Sequence, residues 1–98
     1  MLAKAECIEK LKSTKQFLTE KYGVRSLLLF GSFARDEQKE NSDVDVCVDM
    51  NPNLLNRVGI KRHLEQLLNR QVDVIRLSPN LNSVLKQQIY KDGILVFW

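Results

Sequence analysis

The sequence predicts an α/β (α+β) domain, a mixed β-sheet with helices on one face. Three observations predict it. Apolar patterns of helical period alternate along the chain with short strand-like runs, in the order α-β-α-β-α-β-α-β. Glycine, proline or asparagine stands at most of the junctions, where the backbone has to change direction. Ninety-eight residues, 44% of them hydrophobic, suit one domain spanning residues 1–98 with a single modest core.

The elements follow in order. Residues 3–22 read as one amphipathic helix, with Ile8, Leu11, Leu18 and Tyr22 on the inner face and Gly23 as its stop. Its other face carries Lys4, Lys10, Lys12, Lys15 and Lys21 and reads as a solvated face, or as a docking surface for an acidic partner or RNA. Arg25 to Phe30 is the first strand; Leu27, Leu28 and Leu29 are apolar on both faces, as in a central strand. Ser32 is placed to cap a short helix through Asp36, and 36–42 is a polar loop. Asp43 to Met50 is the second strand, ended by Asn51-Pro52-Asn53. Leu54 to Asn69 is a long helix with Ile60, Leu64, Leu67 and Leu68 inward and His63 in a surface or helix-packing role. Gln71 to Leu77 is the third strand, Ser78-Pro79 a turn, and 81–91 a helix with Leu81, Val84, Leu85 and Ile89 inward. Gly93 ends it, and Ile94 to Trp98 is a last apolar strand.

Composition narrows the function classes. The net charge is +3, a weak basic bias that does not by itself call for nucleic acid. Six of the 12 acids lie between Asp36 and Asp49, against a single lysine, which marks a cation site or a solvated loop. Cys7 and Cys47 have no metal-ligand spacing and read as small, partly buried thiols. Residues 1–24 are charged throughout, unlike a signal peptide, and no apolar run approaches the length of a membrane span. A cytoplasmic protein with no membrane partner is expected.

The chemistry concentrates in Phe30 to Asp49. A hydrophobic strand runs into Gly31-Ser32; ten residues later an alternating strand presents Asp43 and Asp45. Residues i and i+2 of a strand share a face, so the two carboxylates project together, about 6.6 Å apart at Cα. Val44, Val46 and Val48 face a core. Asp73 interrupts an apolar run in a later strand, where a carboxylate is costly unless partnered. Gly31 lets backbone approach a phosphate, Ser32 adds a hydroxyl, N–H groups at 33–35 form an anion cradle, and Arg35 can clamp a phosphate. Asp43 and Asp45 suit Mg²⁺, which favours one or two carboxylates with phosphate oxygens. Two such ions about 4 Å apart can clamp an in-line displacement at phosphorus. Asp73 completes the metal site or takes the proton of an attacking hydroxyl.

Gly31-Ser32, ten residues, then Asp43-x-Asp45 resembles the pattern of the polymerase-β-like nucleotidyltransferase superfamily. The short chain, the G-S-F-A-R start, the S-D-V-D run and the later V-D-V-I resemble its minimal nucleotidyltransferases, the antitoxin halves of prokaryotic HEPN–MNT toxin–antitoxin pairs. The resemblance implies the polymerase-β-like fold, nucleotide binding by Gly31, Ser32 and Arg35, and metal binding and catalysis by Asp43, Asp45 and Asp73. It also implies two Mg²⁺ ions, ATP as substrate, and transfer of AMP to a tyrosine of a HEPN-type ribonuclease, with homo- or hetero-oligomeric association. The chain departs from the pattern at Phe33, where an arginine is frequent, and at Asp36, where glycine or another small residue is common.

Two other readings stay open. The chain can be a binding module that neutralises a toxin by masking it, or a transferase acting on a small molecule or RNA with a separate substrate-binding subunit. The apolar end Ile94–Trp98 suits stable association with a partner chain.

Overall fold

The computed structural model describes residues 1–98. Its elements are α1 (Lys4–Lys12), α2 (Lys15–Tyr22), β1 (Ser26–Phe30), β2 (Val44–Asp49), α3 (Leu54–Leu68), β3 (Val72–Arg76), α4 (Ser83–Asp92) and β4 (Ile94–Phe97). The strands form one sheet in the order β3-β2-β1-β4. β1 pairs antiparallel with β2 and β4, whereas β2 and β3 run parallel, so the predicted mixed sheet is present. A parallel pair needs a long crossover, and α3 supplies it.

Alternation along the strands divides the core in two. Leu27 and Leu29 of β1, Val44, Val46 and Val48 of β2, and Val72 of β3 face the larger cluster. Cys7 and Leu11 of α1, Leu18 of α2, and Ile60, Leu64 and Leu68 of α3 fill it from the other side. Complete burial of a leucine such as Leu11, Leu18 or Leu64 contributes roughly 1.5–3 kcal/mol. Asn53 caps α3 by accepting from the Asn56 N–H, and Asn82 caps α4 by accepting from the Val84 N–H. His63 packs between helices, stacked on the Phe17 ring at 4.4 Å.

Three differences from the expected layout stand out. The helix expected over 3–22 is two helices, because the Ser13 and Thr14 hydroxyls turn back to the carbonyls of Lys10 and Leu11, each at 2.6 Å. Helices were expected on one face of the sheet; α1, α2 and α3 lie there, but α4 packs on the other. Its Ile89 meets Phe30 and Cys47, with Leu28, Ile75, Leu81 and Leu85 around them. Those strand residues alternate with the set facing the main core, so β1 is apolar on both faces because both are covered. Val84, expected inward, is 59% exposed because α4 begins at Ser83 and turns that position outward.

No helix is long and apolar enough to cross a membrane. Both cysteines are free and buried, and burial pushes each thiol up to about 11, which keeps them protonated and unreactive.

Candidate active site

The site is a row across three strands. Phe30 at the end of β1 is paired with Asp45 in β2, and Asp45 is paired with Asp73 in β3. Register partners in adjacent strands point to the same side of a sheet, so the two carboxylates face each other. Asp45 is half-buried and Asp73 exposed on the edge strand. Both open into a cavity of about 300 Å³ whose walls include Phe30, Ile75, Leu85 and Gln88. Of the α4 side chains in that wall, the sequence marks Leu85 as a packing residue and gives no sign of Gln88, because nothing in their spacing says which sheet face they cover.

Electrostatics single out Asp45. Burial pushes its carboxyl up to about 6, and the charges of Asp73 and Asp43 and a hydrogen bond with Asp73 push the same way. Arg35 opposes the shift. Two carboxylates this close resist being ionised together, and a cation between them would remove that resistance. Asp43 stands exposed one residue before β2, and its charge reaches Asp45. As placed, no three acidic, cysteine or histidine side chains form a group that could hold a metal ion. The close pair is Asp45 with Asp73. All three side chains are hard oxygen donors with no sulfur or nitrogen ligand among them, the chemistry Mg²⁺ favours.

Gly31 closes the row. The chain leaves β1 there in the left-handed region, φ 76°. A Cβ at this position would overlap Asp45 Oδ2. Only glycine brings backbone this near the carboxylate.

The short helix expected after Ser32 is a succession of turns. The Arg35 N–H donates to the Gly31 carbonyl at 3.2 Å, the Asp36 N–H to Phe33 at 3.3 Å, and the Glu37 N–H to Ser32 at 2.9 Å. Asp36 takes φ 58°, a backbone conformation that breaks a helix. The N–H groups of Ser32, Phe33 and Ala34 have no backbone acceptor, whereas the Arg35 N–H, expected in the anion cradle, is taken by the Gly31 carbonyl. The anion cradle expected here thus falls on turns rather than on a helix end. Arg35 is held by Asp92 of α4 at 3.3 Å and Glu37 at 3.5 Å. Its tether to Asp92 crosses 57 positions and has no signature in the sequence.

Of the sequence-predicted residues, Gly31, Asp45 and Asp73 lie together, Ser32 follows Gly31 in the chain, and the charges of Arg35 and Asp43 act on Asp45. The family described as "Polymerase beta, Nucleotidyltransferase" matches residues 12–98. Protein adenylyltransferase MntA of Thermococcus cleftensis is 37% identical over 98 residues, covering 98% of each chain. MJ1217 of Methanocaldococcus jannaschii, provisionally named a protein adenylyltransferase, is 38% identical over 94 residues, covering 94% of this chain and 96% of that one. Among solved structures, a toxin–antitoxin crystal structure with AMP-PNP superposes with a TM-score of 0.71 at 24% identity, over 88% of this chain and 72% of the other.

Proposed function

The chain belongs to the polymerase-β nucleotidyltransferase family, and from that premise we propose that it is an antitoxin that transfers AMP from ATP to a tyrosine of a HEPN-type ribonuclease toxin. The nucleotidyltransferase activity comes with the family; the acceptor, the nucleotide and the cation are the proposal. The observation that carries it is the pairing of Asp45 with Asp73 directly beside the Gly31 turn. That arrangement sets a carboxylate pair beside a glycine turn whose next three N–H groups have no backbone acceptor, which suits a triphosphate arriving with its cations. The relatedness to MntA supports a protein acceptor.

In this reaction the tyrosine oxygen attacks the α-phosphorus of ATP. A phosphorus–oxygen bond to tyrosine forms, the bond to the bridging oxygen breaks, and pyrophosphate leaves. Mg²⁺ ions, when bound, neutralise phosphate charge; Asp43, Asp45 and Asp73 are the side chains that would hold them. Ser32, with the N–H groups of Ser32, Phe33 and Ala34, binds the β- and γ-phosphates, and Arg35 clamps their charge. Asp73, the exposed member of the pair, accepts the tyrosine proton. Asp45 has to be ionised for the pair to work.

The test is intact mass spectrometry of the HEPN-type partner after incubation with the chain, ATP and Mg²⁺. One or more added AMP masses are expected with wild type, and none with Asp43→Asn. An unmodified partner, or an Asp43→Asn variant that behaves like wild type, sinks the reading.

Masking without transfer is the second reading. It is favoured by the exposed apolar side chains at the end of the chain, Leu95 at 47% and Trp98 at 75% exposure. Asp45→Asn separates the two: a variant that still neutralises the toxin without modifying it selects masking.

A further inference from the structure

We propose that Arg70 is a positioning residue that fixes Asp43 and the phosphate-binding turn against each other. The inference rests on the proposed role of Asp43 as a cation ligand. Arg70 lies between α3 and β3, outside every motif read from the sequence. Its guanidinium does two things at once. Nη1 donates to the carbonyl of Ser42, one residue before Asp43, at 2.8 Å. The guanidinium plane also covers the Phe33 ring, with Cζ 5.1 Å from the centroid. Phe33 is one residue after Ser32 and fully buried. A single side chain thus holds both ends of the loop that separates the Gly31-Ser32 turn from the acidic strand.

The neighbouring residue completes the bracket. The Val44 N–H donates to the Gln71 carbonyl at 3.0 Å. Asp43 is therefore flanked on both sides by hydrogen bonds to the Arg70-Gln71 pair, Ser42 through one and Val44 through the other. The same pair leads directly into Val72 and Asp73. Asp43 is exposed and lies outside β2, so without this bracket the sheet would not fix its place.

Arg70 occupies this position at a cost. Its Nε is buried and has no acceptor. A desolvated donor left unpaired is unfavourable. A lysine would avoid that orphan but could not stack as a plane while reaching Ser42. The guanidinium is the one basic group whose geometry serves both contacts.

The experiment measures Mn²⁺ affinity of the full chain alone, by the loss of the free-ion electron paramagnetic resonance signal, for wild type, Arg70→Met and Arg70→Lys. Arg70→Met is expected to bind about 10–100-fold more weakly, the range found when residues that orient metal ligands are removed. Arg70→Lys is expected to fall between the two. Amide exchange at Val44 is expected to quicken in Arg70→Met. Should Arg70→Met be poorly folded, Phe33→Leu removes the stacking partner alone, and adding Arg70→Lys to it should cost less than the two separate losses combined. Wild-type Mn²⁺ affinity and Val44 exchange in Arg70→Met, full binding in Arg70→Lys, or strictly independent losses in the double variant overturn the proposal. A wild type that binds Mn²⁺ but modifies no protein contradicts the proposed acceptor and leaves the role of Arg70 standing.

Discussion

Gly31 lies directly against the Asp45 carboxylate. A Cβ on residue 31 would overlap Asp45 Oδ2 and stand 3.1 Å from its Cγ, and the backbone there has φ 76°. Gly31→Ala therefore carries two separate penalties. The left-handed backbone costs roughly 1–2 kcal/mol with a Cβ present. The methyl also pushes Asp45 out of its pairing with Asp73. Denaturant titration should show that stability loss, and transfer should fall by about 100-fold, the scale of a 1 Å misplacement. A folded, fully active Gly31→Ala would contradict the close approach.

Asp45 makes stability and activity respond to pH in opposite senses. Its folded carboxyl is held at about 6, against an ordinary value of 3.8. Between those values the folded chain keeps a proton that the unfolded chain has released. Stability from this group is thus full below about pH 4 and is lost as pH rises through about 6. For a half-buried group the loss, screened by solvent, is about 1 kcal/mol. Transfer needs the ionised form, so it also rises with pH, but at lower pH than this interval, because a bound cation favours the carboxylate. Thermal melts of the metal-free chain should show the loss, initial rates with Mg²⁺ should rise at lower pH, and Asp73→Asn should shift the melting transition to lower pH. A melting temperature that climbs with pH in this window would refute the assignment.

Asp36 offers a substitution that helps. It sits at φ 58° with its side chain exposed. Asp36→Gly relieves the left-handed strain and is expected to raise stability by about 1 kcal/mol. It also removes an acid next to the phosphate turn, so the KM for ATP should fall. Denaturant melts and rates at varied ATP test both, and a less stable variant would show that the Asp36 side chain stabilises the turn.

The acidic strand was legible because its two periods agree: valines on one face, Asp45 and Cys47 on the other. Asp73 stood out as a charge in an apolar run, and its register with Asp45 follows from a parallel pairing that the α3 crossover dictates. The break at Ser13-Thr14 was not visible, because Leu11 and Leu18 lie seven residues apart and keep the same helical phase across it. The place of α4 was written in β1, whose apolar residues cover both faces, yet helical periodicity alone does not say which face a helix takes. Arg70 left no trace, since its partners Phe33 and Ser42 are brought to it only by the fold.

β3 is an edge strand, so Asp73 stands on the rim of the sheet. A rim of this kind leaves the carboxylate open to a group carried on another body. Choice of acceptor is then delegated to whatever docks alongside. Chemistry and address can drift apart: altered docking contacts would redirect the same carboxylates to a new recipient while Gly31, Asp45 and Asp73 stay as they are.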